Sequence, residues 1–146
     1  MIDYTKRQNI NRGHMKLDVW RKATELFKMI WKHTHSNSSM DFKLRSQINN
    51  SAQSVASNIA EGYSRRSVKE YIRFTYIALS SMSETLTRLI GLRETGQISG
   101  EQFEQIDKLH YEVENKLLKL IKSLETKRDS SDWVDRIHDN LEEFNA

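Results

Sequence analysis

The sequence predicts an all-α fold, an antiparallel up-and-down four-helix bundle followed by a short extra C-terminal amphipathic helix. Three observations carry this expectation. Apolar residues recur at three- and four-residue steps along nearly the whole chain, no proline interrupts them, and Gly62 and Gly96 sit where the period breaks. Four long stripes joined by short polar turns can bury themselves only against one another, and short turns make sequential helices antiparallel.

Residues 1–14 are polar and basic without periodicity and read as a flexible arm. In the first helix, from about Lys16 to Ser36, the stripe is Leu17, Trp20, Ala23, Phe27, Ile30, Trp31 and Thr34, and the polar run HSNSSM ends it. Leu44, Ile48, Ala52, Val55 and Ile59 draw the second stripe, with Gly62 placed to terminate it in a left-handed conformation. Ser67 followed by Glu70 has the spacing of a capping box, so a third helix starts at Val68. Tyr71, Ile72, Thr75, Leu79, Met82, Leu86, Leu89 and Ile90 continue it towards Gly96, with Gly91 weakening its last turn. Ser99 with Gln102 opens a fourth helix that carries Phe103, Ile106, Val113, Leu117, Leu120, Ile121 and Leu124. The bundle is thus assigned to residues 15–128. Residues 129–146 form an acidic segment with Trp133, Ile137, Leu141 and Phe144 on one face. A helix so short is marginal in water, so it is expected to dock on the bundle or a neighbouring subunit, or to stay partly disordered.

A chain of 146 residues fits one domain with a core that needs no disulfide or metal. The absence of cysteine excludes thiolate chemistry and fits a reducing cytoplasm, and no apolar run approaches membrane-spanning length. The net charge of +3 conceals an asymmetry, because residues 1–128 hold 22 Lys and Arg against 14 Asp and Glu while the remainder holds one against six. A basic body with an acidic tail suits a polyanionic partner, although many charged helical surfaces serve only solubility.

The stretch NIAEGYSRRSVKEY concentrates that charge at one corner. Arg65 and Arg66 precede the Ser67 cap, and Lys69 and Arg73 follow one turn apart. Arginine's planar fork suits phosphate, and a helix N-terminus adds partial positive charge. The alternative is that these cations pair with Glu61 and Glu70. Tyr63, off the apolar stripe, is the candidate for stacking an unpaired base, whereas Tyr71 belongs to the core. Arg21, Lys22, Lys28 and Lys32 of the first helix lie partly on its outer face, where their first expected role is solubility and their second a contribution to the basic surface. In SQINNSAQSVASN, uncharged small and amide side chains flank the second stripe, and Gln47, Asn50, Ser54 and Asn58 are candidates for a subunit interface. An exposed polar face is the plainer reading.

Catalysis finds no foothold. His33 and His35 diverge at i and i+2, so a shared metal is not expected, and E-x-x-H, H-E-x-x-H, phosphate-loop and nucleophile-elbow motifs are absent. Glu61 and Glu84 can meet across the bundle, but two carboxylates without a partner group make no mechanism. No enzymatic activity, cofactor or metal is expected.

The segments LDVWRKATELF, SQINNSAQSVASNIAEGYSRRSVKEYIRF and IALSSMSE together resemble the bacterial proteins first described as products of 23S rRNA intervening sequences, often labelled S23 ribosomal protein. The resemblance covers about residues 15–125. It implies a four-helix bundle that assembles into a ring, commonly a homopentamer, without known catalytic activity. It also implies kinship with accessory proteins of diversity-generating retroelements, which bind nucleic acid and a reverse transcriptase. The residues matching the shared motif are Asn58, Glu61, Gly62, Arg66, Ser67, Lys69, Glu70, Tyr71 and Glu84. Two departures stand out: Asn49 and Asn50 occupy positions that are basic in many relatives, and Ala56 one that is often proline.

Overall fold

The computed structural model describes residues 13–130. A 3-10 turn, Gly13–Lys16, leads into α1 (Asp18–His35), α2 (Phe42–Tyr63), α3 (Val68–Glu94) and α4 (Gly100–Ser130). Contacts join α1 to α2, α2 to α3, α3 to α4 and α4 back to α1, with none across either diagonal, which is the square of an up-and-down four-helix bundle. The expected fold class is the one observed. The acidic amphipathic helix expected beyond α4 lies outside the described residues, as does most of the N-terminal arm, whose last two residues, Gly13 and His14, belong to the 3-10 turn.

The four stripes meet in one core of Leu26, Ile30, Ile48, Val55, Ile59, Met82, Leu89, Ile106, Val113 and Leu117, each essentially withdrawn from solvent. His110 is buried among them, with Nε2 2.7 Å from the Met82 carbonyl oxygen. A carbonyl only accepts, so Nε2 carries the hydrogen. Across α1 and α4, Lys116 pairs with Asp18 and Lys22 with Glu112. The hydrogen bond from Lys116 holds the Asp18 carboxyl below its ordinary pKa.

One end of the bundle carries the α1–α2 and α3–α4 turns. Asp41 caps α2 by accepting the Leu44 N–H at 2.9 Å. Arg45 fastens the turn, donating to the carbonyls of Thr34, Asn37 and Met40. Buried Asn49 donates from Nδ2 to Thr34 Oγ1 and the Arg45 carbonyl. Asn37 reaches the Gln97 carbonyl at 3.1 Å and ties the two turns together. Gly96, at φ +72°, closes α3 in a Schellman motif, with the Gln97 N–H on the Leu92 carbonyl and the Gly96 N–H on that of Arg93. The Ser99 and Gln102 box is complete in both directions. The Ser67 box is half made: Ser67 accepts the Glu70 N–H, while the Glu70 carboxylate turns to Arg73.

Gly62 corrects an expectation. It has no positive φ, and α2 runs past it to Tyr63. A Cβ there would lie 2.8 Å from Phe74 Cβ and 3.1 Å from Tyr71 Cδ1, so glycine is needed for the close approach of α3.

Candidate nucleic-acid interface

The opposite end gathers the start of α1, the α2–α3 corner and the last turns of α4. Tyr71, Ile72 and Leu124 form a small apolar cluster there, with Tyr63, Val68 and Leu120 packed against it. This cluster seats the corner. Ser64 and Arg65 return their N–H groups to the last α2 carbonyls, and Ser67 starts α3 two residues later.

Arg65, Arg66, Lys69 and Arg73 are all exposed on and just after this corner. The structure brings two of them together over one ring: the Arg65 and Arg73 guanidinium carbons lie 4.6 and 4.9 Å from the centroid of buried Phe74. Each also has a carboxylate on its own helix or the turn before it, Arg65 with Glu61 at 2.8 Å and Arg73 with Glu70 at 3.6 Å. These pairs are solvent-exposed and so contribute little, which leaves both guanidinium groups able to exchange a carboxylate for another anion. Lys69 has no ion-pair partner among the described residues.

The remaining sequence candidates are placed differently. Tyr63 does not offer a stacking face. Its ring is half-buried, edge-on to Tyr71 at 6.1 Å and to His14 at 6.3 Å, and a Cβ on Gly13 would strike its hydroxyl. Tyr71 is buried, as expected of a core residue. Arg21 and Lys22 are occupied by Asp18 and by Glu25 and Glu112, on the α4 side of α1. Lys28 is exposed and has no ion-pair partner among the described residues.

Along α2, three of the four interface candidates spend hydrogen bonds within the chain. Gln47 accepts from Arg88 at 2.9 Å, Ser54 pairs with Ser81 at 2.9 Å, and Asn58 donates to the Ser54 carbonyl and hydroxyl. Asn50 is exposed and lines a shallow groove with Gln47, Ser54, Glu84 and Arg88. A larger hollow of about 560 Å³ lies beside it, lined by Leu44, Thr87, Gly91, Leu92 and Thr95. Glu61 and Glu84 do not meet. Glu84 lies at the level of Asn50, about three turns of α2 from Glu61, and binds Arg88. No group of three His, Cys, Asp or Glu among the described residues is placed to hold a metal.

A profile of the 23S rRNA-intervening sequence protein family matches residues 15–119, which includes α1, α2, α3 and most of α4. The chain belongs to that family. A crystal structure of a protein with unknown function from the S23 ribosomal protein family of Bacteroides thetaiotaomicron VPI-5482 superposes with a TM-score of 0.66. It is 31% identical and covers 71% of this chain and 98% of its own. No curated protein matches the chain. In this member of the 23S rRNA-intervening sequence protein family, much of the motif that carries the resemblance builds the corner itself. Gly62 and Tyr71 pack it, Ser67 caps α3, Asn58 and Glu84 bond to neighbouring side chains, and Glu61 and Glu70 flank the arginines.

Proposed function

We propose that the protein is a non-enzymatic, cytoplasmic, homo-oligomeric bundle that binds RNA or an RNA–DNA intermediate through its basic surface. The observation that carries this reading is the α2–α3 corner, where four exposed cations gather and, among the described residues, Arg65 and Arg73 are paired only with exposed carboxylates that hold them weakly. Phosphate oxygens can replace such carboxylates because they offer the same fork-shaped acceptor at higher local charge. The family's descriptive name, tying it to an rRNA intervening sequence, makes RNA the polyanion to try first. Assembly into a ring, commonly of five subunits by family resemblance, multiplies a weak site by avidity.

The test is RNA affinity by fluorescence anisotropy over a series of salt concentrations. The Arg65→Gln, Arg66→Gln double variant is expected to bind about tenfold more weakly, with a salt slope shallower by about 1 to 2, while keeping its helical circular dichroism. Unchanged affinity removes the corner from the site. The hollow beside Leu44 and Gly91 favours a second reading, a protein-interaction scaffold. That scaffold binds through the α2 face and the acidic tail; in it RNA binding vanishes near physiological salt and ignores the arginines.

A further inference from the structure

Trp31 was expected on the buried stripe of the first helix, yet it is 49% exposed. Its surroundings are ordered. The His35 ring stacks on the indole with centroids 3.8 Å apart and an interplanar angle of 23°, and Phe27 stands 6.1 Å away on the same helix. His35 Nδ1 lies 2.8 Å from the Trp31 carbonyl, which can only accept, so Nδ1 carries the hydrogen and the imidazole is fixed against the indole. The result is a two-ring stack at the end of α1 with an exposed imidazole on its outside.

Within one turn of Trp31 along α1 the charged side chains are of one sign. Lys28 and Lys32, three residues before Trp31 and one after, are exposed and have no ion-pair partner among the described residues. Lys28, Trp31, Lys32 and His35 share the i, i+3, i+4, i+7 spacing of one helix face. From Leu26 to Ala60 the chain holds four Lys and Arg and a single acid, Asp41, which is engaged as the α2 cap. A face built for an apolar protein partner would surround an exposed indole with further apolar side chains, whereas here an exposed ammonium group flanks it on either side along α1.

We propose that the Trp31–His35 stack on the outer face of α1 is a platform for an unpaired base of single-stranded nucleic acid, with Lys28 and Lys32 holding the phosphates on either side. Each part has its physical reason. Bases stack on aromatic faces whatever their sequence, ammonium groups follow the backbone, and a stack already fixed by a hydrogen bond loses little freedom on binding. A duplex, whose bases are already stacked, gains nothing from the rings. This inference rests on the nucleic-acid reading above but names a different site and a preference for single strands.

The experiment titrates a labelled twelve-nucleotide oligoadenylate, and separately an RNA duplex of equal length, into the full chain and its variants. Trp31→Leu is expected to weaken single-strand binding about tenfold or more and to leave the duplex nearly unchanged. Lys28→Gln with Lys32→Gln should reduce the single-strand salt slope by about 1.4, the value for two phosphate contacts. His35→Ala, at an exposed position, supplies an independent loss if Trp31→Leu disturbs the fold, which circular dichroism reports. If these variants bind the single strand as the parent does while the Arg65 and Arg66 changes abolish binding, the platform is overturned and the nucleic-acid reading survives. Should the parent bind neither probe, both fall. If Trp31→Leu alters only the oligomer's mass in light scattering, the indole is a protein contact and the platform is again overturned.

Discussion

Two glycines at opposite ends of the α2–α3 pair have opposite reasons for being glycine. Gly62 is buried where α3 crosses close to α2, and its substitution by alanine sets a methyl group 2.8 Å from Phe74 Cβ. Neither backbone can yield without disturbing Tyr71, so Gly62→Ala is expected to destabilise the fold by about 1–3 kcal/mol, even after the gain in helix propensity. Gly91 is helical and exposed, and an added Cβ meets nothing within 4 Å. Gly91→Ala is therefore expected to stabilise by about 0.5–1 kcal/mol. Urea unfolding of the two variants checks both signs at once, and a stabilised Gly62→Ala would refute the close-approach account. The sequence made Gly62 visible as a special position but not its cause, because a chain terminator and a packing glycine leave the same letter. Trp31 was misplaced for a related reason: a residue at the edge of a stripe satisfies the period whether its ring turns inward or outward.

At the scale of elements, helix starts, caps and stripes were legible because each rests on local chemistry within a few residues. The use of α2's polar face was not, because it depends on which helix lies opposite. Ser51, Ser81 and Thr85 are buried between α2 and α3, and the Thr85 hydroxyl reaches both the Ser81 carbonyl at 2.7 Å and Ser51 Oγ at 3.0 Å. Small side chains let the two helices approach, and each of these hydroxyls finds a hydrogen-bond partner. Within the chain this seam answers much of the question raised by so uncharged a helix, with Asn50, Gln53 and Ser57 left on the surface. Thr85→Val tests it. The shape is retained, Ser51 keeps its bond to the Ile48 carbonyl at 2.9 Å, and one buried hydrogen bond is lost. A cost of about 1 kcal/mol in chemical unfolding is expected, with no change in oligomer mass. A change in mass would mean that the seam communicates with a subunit contact.

Charge is distributed by helix rather than evenly over the molecule. The α1–α2 hairpin is poor in acids, whereas α4 carries seven Asp and Glu against six Lys and Arg, and residues 131–146 add five acids against one arginine. The end of α4 lies at the same end of the bundle as the α2–α3 corner, as the Tyr71, Ile72 and Leu124 cluster requires. The described part of α4 thus ends at the same end of the bundle as the cations proposed to hold phosphate, and a short tether would give the acidic segment that follows it an effective concentration in the millimolar range. Competition with RNA by this segment, acting as an intramolecular polyanion, predicts that removing residues 131–146 raises RNA affinity several-fold. A rise alone is ambiguous, because the truncation also makes the whole chain more positive and speeds association with any polyanion. The same truncation in the Arg65→Gln, Arg66→Gln background separates the causes. Competition at the corner predicts that the gain disappears there, while a general field predicts an equal gain in both backgrounds. No gain in the parent would discard the competition and leave the tail's apolar face, Trp133, Ile137, Leu141 and Phe144, as a surface for a protein partner.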